Sequence, residues 1–406
     1  MRIGIFTDTY PPFINGVSTS ILMLEKALKK KGHQVFIVTV NPDDMHYRYE
    51  RDGHLIRIPG IPTGIYDYRL TGIYPVRIIN KIKKWDLDII HSHTEFGVGT
   101  FARIIAKQLD IPLVHTYHTM YEDYVHYITH GHFDKSSKKI VEYLTKFYCD
   151  KTASELIVPS KKTYDLFKEK YKVNKNVYIV PTGIDVERFH RENLSSDKMK
   201  SIRKKWGIID NDFVILFVGR LAKEKNIELL IDAHAAICKK YPHAKLMIVG
   251  SGPDFEIYEK RIKKYHIEKN VILTNAIPWD DIPEYYGISN LFVTASKSET
   301  QGLTVIEAMS ASLPVVCMND ESFNQVVIDG LNGKLFKNKR EYKKQVETLI
   351  NDKKQLTVMS RQARISSDSH SLKYYAEQIL DVYKSAIGDK MRKDDIVRKI
   401  KRFFNR

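Results

Sequence analysis

LFVTASKSETQGLTVIEAM, residues 291–309, passes from an apolar run (LFVTAS, 291–296) through a short polar segment into a helix-like apolar pattern. Read that way, it is a strand handing over to a helix, the repeating unit of a parallel α/β sheet. Glu299 and Glu307 bracket seven residues, and Gly302 lies between them. With a helix starting near Gln301, the residues Gly302, Leu303 and Thr304 occupy its first turn. Their amides have no partner inside the helix and form an anion site. Gly302 lets a bulky diphosphate come close. Glu299 can accept hydrogen bonds from hydroxyls, and Glu307, one to two turns on, can reach a ribose. A phosphate flanked by two hydroxyl-accepting carboxylates describes a nucleotide-sugar. The plainer reading makes Glu299 an N-terminal charge and Glu307 a solvated helix residue.

Working outward, the same alternation fills the chain. Strands are expected at 2–8, 34–40, 55–59, 87–93, 112–118 and 155–160, then again at 213–220, 245–250, 270–275, 291–296 and 314–319. Their Val/Ile-rich character suits sheets covered on both faces. Val17, Ile21, Leu24 and Leu28 recur at helical spacing and Gly32 follows as a stop, so a helix is expected over 17–31. Two βα series in tandem predict an α/β protein of two doubly wound, Rossmann-like domains facing a central cleft. Residues 1–180 are expected to form the first domain and 181–370 the second. The charged stretch 186–212 reads as linker.

The chain has 406 residues, 43% of them hydrophobic, which favours a folded core over disorder. Its three cysteines, Cys149, Cys238 and Cys317, are too dispersed for a disulfide framework or a CxxC metal site, and fit a reducing compartment. The opening MRIGIFTDTY enters a strand at once and carries no signal-peptide pattern, and no apolar run is long enough to span a bilayer. The net charge is +16, which predicts an anionic partner: nucleic acid, an acidic membrane or phosphorylated substrates. Residues 390–406 alone hold eight Lys/Arg against two Asp.

Other segments carry chemistry. FVGRLAKEKN (217–226) ends a strand at Gly219 and offers Arg220 and Lys225, two cations for a diphosphate leaving group. GSGP (250–253), with Gly252, and the loop 8–20, ending in Asn15-Gly16-Val17, are further glycine turns after strands. His118 falls at a strand's carboxyl end and can hold a substrate hydroxyl as a neutral imidazole. DLD (86–88) reads as a strand-entry turn. HSH (91–93), HTYH (115–118) and HGH (130–132) have metal-like spacing but no cysteine partners, so no metal site is expected. No G-x-S-x-G elbow or P-loop occurs, which argues against hydrolase and NTPase readings.

Together these motifs resemble the family 4 retaining glycosyltransferases of GT-B fold, over essentially the whole chain. Glu299-x7-Glu307 with Gly302-Leu303-Thr304 is the most specific part, joined by GRLAKEKN (219–226), NGVS (15–18), PTGID (181–185) and GSGP. The resemblance implies that Glu299 contacts the transferred sugar and Glu307 the ribose. It implies that Arg220, Lys225, Gly16 and the 302–304 backbone hold the diphosphate. His118 would touch the sugar near its C6 hydroxyl, and Ile277 would lie where the base sits. The family's usual phenylalanine is Gln301 here, which leaves the hexose open. HTMYEDYVHYI (118–128) and the basic charge look like the bacterial diacylglycerol glucosyltransferases. These are peripheral membrane enzymes on the cytoplasmic face of the cell membrane, using UDP-glucose. The implied partners are a UDP-sugar, diacylglycerol and anionic lipids, with no nucleic acid. No cofactor is required for the chemistry, and Mg2+ is left open.

Two segments fit a membrane surface, although for the tail the resemblance also implies a helix in 371–406 that packs back on the first domain. In the tail, Ile396, Val397, Ile400, Phe403 and Phe404 form one helical stripe, with Arg398, Lys399, Lys401 and Arg402 largely around it. Residues 70–85 mix apolar positions with Lys81, Lys83 and Lys84. Tyr121, Tyr124 and Tyr127 are candidates for an acyl-chain entrance. The expected reaction is glucosyl transfer with retention. The rivals are a soluble glycosyltransferase with a sugar, polyol or protein acceptor, a sugar-nucleotide epimerase of the same fold, and a non-catalytic basic nucleic-acid-binding protein. The last lacks an interleaved aromatic and basic stripe.

Overall fold

The structure, a computed structural model, describes residues 1–406 except 14, 64–68, 119–141, 144, 298, 300, 325, 405 and 406, and except the side chains of 151 and 398–404. The chain divides into two compact units, Met1–Gly183 with Leu372–Arg406, and Ile184–Ser371.

The first unit is built on β1 (Arg2–Phe6), β2 (Gln34–Val40), β3 (Arg48–Glu50), β4 (Leu55–Ile58), β7 (Ile89–Ser92), β8 (Leu113–Thr116), β9 (Glu155–Val158) and β10 (Val177–Ile179), with a small hairpin of β5 (Ile61–Pro62) and β6 (Arg69–Leu70). The sheet order is β10-β9-β8-β7-β1-β2-β4-β3, parallel except for β3 against β4. Every residue of β4, β7, β8 and β9 is buried, as a sheet covered on both faces requires. Helix α1 (Gly16–Lys30) opens at Asn15, whose side chain accepts from Ser18 N at 2.8 Å. Helices α2 (Val76–Lys84) and α3 (Gly97–Leu109) follow.

The second unit carries β11 (Phe213–Val218), β12 (Ala244–Val249), β13 (Val271–Leu273), β14 (Leu291–Thr294), β15 (Val315–Met318) and β16 (Gly333–Phe336) in the order β13-β12-β11-β14-β15-β16, all parallel. Alternate side chains feed two cores. Ile215, Phe217, Leu246 and Ile248 join one, while Val214, Leu216, Met247 and Val249 join the other.

Some expectations change. The stretch 186–212 is not a linker: it holds two single-turn helices and the helix Ser196–Lys205, all within the second unit. Strands β3, β10 and β16 were not anticipated, because RYE, VYI and GKLF are too short to show a period. The last helix, Leu372–Phe404, runs unbroken for 33 residues. Its first half is packed, with Leu372, Tyr375, Ala376, Ile379, Tyr383 and Ala386 buried, whereas Ile396 and Val397 are exposed.

Two glycines give a contrast. At Gly250 (φ +143°) a Cβ would sit 1.9 Å from the carbonyl oxygen of Gly219. At Gly388, inside the last helix, a Cβ would meet nothing within 4 Å. Gly250→Ala should cost about 2–4 kcal/mol, and Gly388→Ala should gain about 0.5–1 kcal/mol. Denaturant midpoints that move together, or not at all, would contradict this packing.

Candidate functional site

In the second unit the chain runs outward in opposite directions from β11 and β14, which lie side by side. In open α/β sheets such a switch point leaves a crevice at the strands' carboxyl ends. The segments that follow these two strands are GRLAKEKN and KSETQG. There the Lys225 ammonium donates to Oε1 of Glu299, and the Arg220 guanidinium pairs with Glu224. The Lys225 and Glu299 side chains are 17% and 21% exposed, so the pair is sheltered yet reachable. Lys297 N donates to Glu224 O at 3.2 Å, and the Ser322 hydroxyl to Glu299 O at 2.6 Å, which pins the loop's backbone.

The helix after β14 begins at Leu303, later than the sequence reading placed it. Gly302 is its N-cap, with φ +78°, and a Cβ there would stand 2.5 Å from the Phe323 ring. Glycine is therefore required by backbone and packing alike. Leu303 and Thr304, half-buried, supply the first-turn amides. At Gly252 a Cβ would meet the Leu221 carbonyl oxygen at 2.3 Å, so GSGP packs tightly on the Arg220 loop. These glycine and ion-pair positions gather at one end of one sheet.

Glu307 is not a solvated helix residue. It is buried, and Tyr286 donates to its Oε2 at 2.7 Å. Burial pushes its carboxyl up to about 7, against opposing pulls from the Tyr286 hydroxyl and the Arg188 charge. Arg188 donates to the Trp279 carbonyl and stacks 3.2 Å over that ring's centroid. Ile277, half-buried, packs on the same core. Tyr286, Arg188 and Trp279 escaped the sequence reading, because a tyrosine or arginine outside a glycine turn carries no local signal.

In the first unit, Gly16 opens α1 and is exposed, with nothing within 4 Å of where a Cβ would be. His118 follows β8 and is half-buried, its Nε2 2.9 Å from Nδ1 of His93. His91, His93 and His115 are buried beside it. Burial holds all four imidazoles below their ordinary 6.5, hence neutral. The expectation that no cysteine accompanies these histidines fails in three dimensions, because Cys149, Glu95 and His115 place ligand atoms within 4.8 Å of one another. Yet His115 has both nitrogens engaged, Nδ1 by Ser92 at 2.8 Å and Nε2 by Glu95 at 2.9 Å, and the nearby Arg103 charge disfavours a cation. Asp86 turns at φ +48° and Asp88 accepts from Arg2 N at 2.7 Å, so DLD starts β7.

Among the membrane candidates, Lys83 and Lys84 are exposed, while Lys81 lies across the Tyr49 ring at 4.2 Å. The apolar side of α2 (Ile78, Ile79, Ile82) faces the core. The exposed apolar residues lie before it, at Ile61, Leu70, Ile73 and Tyr74, and at its first position, Val76. Tyr121, Tyr124 and Tyr127, and the side chains of Arg398, Lys399, Lys401 and Arg402, lie outside the described residues. Among the described residues no helix is long and apolar enough to cross a membrane.

Residues 14–188 match the family model for Glycosyltransferase Family 4, and 198–366 that for Glycosyl transferases group 1. An alpha-monoglucosyldiacylglycerol synthase of Acholeplasma laidlawii is 34% identical over 97% of this chain and 99% of its own. This chain belongs to glycosyltransferase family 4. A second family 4 relative, the alpha-monoglucosyldiacylglycerol synthase of Streptococcus pneumoniae, is 38% identical over 83% of this chain and 75% of its own. Among solved structures, Anabaena HepE in complex with UDP-glucose superposes with a TM-score of 0.71 at 18% identity, covering 94% of this chain and 99% of that one. That likeness bears on the GT-B fold.

The neutral histidines set a pH dependence for this family 4 protein. Each has a folded pKa below its ordinary 6.5, so the unfolded chain binds more protons as the pH falls through that value. Stability of the first unit is full above about pH 6.5 and declines below it. Urea unfolding at pH 7.5 and pH 5 should show the drop, and His93→Gln should shrink it. An unchanged midpoint at pH 5 would contradict the neutral cluster.

Proposed function

We propose that this enzyme transfers glucose from UDP-glucose to the free hydroxyl of 1,2-diacylglycerol at a membrane surface, with retention, giving alpha-monoglucosyldiacylglycerol. The observation that carries the reading is the near full-length likeness to the Acholeplasma laidlawii synthase. The ion pairs at the switch point supply the chemistry. Lys225 and Arg220 are each matched by a carboxylate, Glu299 and Glu224. A diphosphate competes for both cations. Lys225 then turns to phosphate, which frees Glu299 to accept from the sugar's hydroxyls. Glu307 takes the ribose hydroxyls, Ile277 supports the base, and the amides after Gly302 face the phosphates.

Front-face transfer balances without a carboxylate nucleophile. The bond from the anomeric carbon to the β-phosphate oxygen breaks, and UDP leaves with the electron pair. The acceptor oxygen bonds to the same face, and its proton passes to the departing phosphate. Two cations and the helix N-terminus stabilise the developing charge, and each ~1.36 kcal/mol so gained is tenfold in rate. For Gly16 and His118 the roles implied by the family resemblance are retained. The exposed apolar residues Ile61, Leu70, Ile73, Tyr74 and Val76, with Lys83 and Lys84 exposed at the end of α2, favour seating on an anionic leaflet. We place that leaflet on the cytoplasmic side.

Incubation with UDP-glucose and liposomes of diacylglycerol and an anionic lipid should release UDP and yield an α-glucosyl lipid. Release indifferent to diacylglycerol would instead indicate a sugar, polyol or protein acceptor. Arg220→Ala should lower turnover at least about tenfold with an unchanged melting temperature. Near-normal turnover would remove Arg220 from the mechanism.

A further inference from the structure

We propose that Tyr286 is a positioning residue for donor recognition: by donating to Oε2 of Glu307 it holds that carboxyl turned so that Oε1 remains for the donor's ribose. The proposal rests on the ribose role given to Glu307 above. It implies that donor affinity weakens as the pH falls through neutrality.

The geometry leaves the Tyr286 hydroxyl little freedom. The residue is fully buried on the helix Ile282–Gly287. Its ring stacks on Phe292 (centroids 5.9 Å apart, 28°) and meets Phe189 edge-on (5.5 Å, 88°). The hydroxyl reaches Glu307 Oε2 at 2.7 Å and lies 3.4 Å from Thr304 O, so it also touches the first turn of the helix Leu303–Ser310. An ionised carboxyl offers acceptors to both hydroxyls of a vicinal diol, whereas a protonated one offers one acceptor and a competing donor. Burial favours the protonated form and raises the carboxyl to about 7, while Tyr286 and the charge of Arg188 favour the ionised one. Above that value Glu307 is ionised and below it neutral.

Arg188 is not reserved for Glu307: Asp280, at 3.5 Å, and the charges of Asp185 and Glu284 share its guanidinium. The helix Lys353–Ser367 contributes Ala363 to the shared core, and its Arg364 is held by Asp368 at 2.7 Å and the His190 ring at 2.9 Å. Strand β15 contributes Val315 and Cys317, and burial keeps that thiol protonated.

Calorimetric binding of UDP-glucose to the full chain, from pH 6 to pH 8.5, tests the proposal. The donor's phosphates are diesters and do not titrate there. Native affinity should rise with pH about a midpoint near 7. Tyr286→Phe keeps the ring and its stacking but withdraws the hydroxyl, and should move that midpoint up by about one pH unit. Glu307→Gln should bind weakly with no midpoint. If Glu307→Gln binds like the native protein, the ribose role itself fails. If it binds weakly while the Tyr286→Phe profile overlays the native one, only the present inference fails. Should Tyr286→Phe melt too early to be measured, Arg188→Gln, which withdraws the other group favouring ionisation, must move the midpoint the same way. An unmoved midpoint there contradicts the proposal.

Discussion

Lys225 and Glu299 can meet only because β11 and β14 are neighbours, although 74 residues separate the two side chains in sequence. Strand adjacency is thus the constraint beneath the candidate site. The second sheet starts at β11, winds outward through β12 and β13, then returns to place β14 on its other side. One strand's exit loop brings cations, and its neighbour's brings a carboxylate and a glycine-capped helix start. Neither loop makes the proposed nucleotide-sugar site alone. The pair is partly sheltered, so an incoming anion must replace Glu299 as the partner of Lys225 rather than leave that cation unmatched.

Burial governs the rest of the chemistry. Glu307 sits where an isolated carboxylate is expensive, and a single tyrosine hydroxyl and one stacked arginine offset part of that expense. In the first unit the same effect acts with opposite sign on bases. Four imidazoles lie close together, three of them buried, and hydrogen bonds with Thr116 and Tyr383 (His91) and with Ser92 and Glu95 (His115) satisfy two of them in the neutral state, Glu95 accepting from His115. Such groups couple the protein to pH without any surface cluster that would announce it.

Much of this architecture is legible in the sequence, for a physical reason. A strand buried on both faces must be continuously apolar, so FVILFV and LFVT stand out against polar turns. Glycines at Gly250, Gly252 and Gly302 mark places where a Cβ would collide with a neighbour, the first two just past the end of β12 and the third at a helix start. Short edge strands such as GKLF lack the length to show a pattern. Tyr286 and Cys149 acquire their meaning only through neighbours far away in sequence. The stretch 186–212 misled because surface helices with many lysines look like solvated linker.

We propose that the switch point of the second unit holds a nucleotide-sugar, with Lys225 on the diphosphate and Glu299 on the hexose. Binding of UDP and of UDP-glucose to Glu299→Gln and Lys225→Ala separates the two tasks. Lys225→Ala should weaken both ligands by at least about tenfold. Glu299→Gln should weaken UDP-glucose while leaving UDP essentially unchanged. Equal losses of UDP and UDP-glucose in Glu299→Gln, or native binding by Lys225→Ala, would contradict the account.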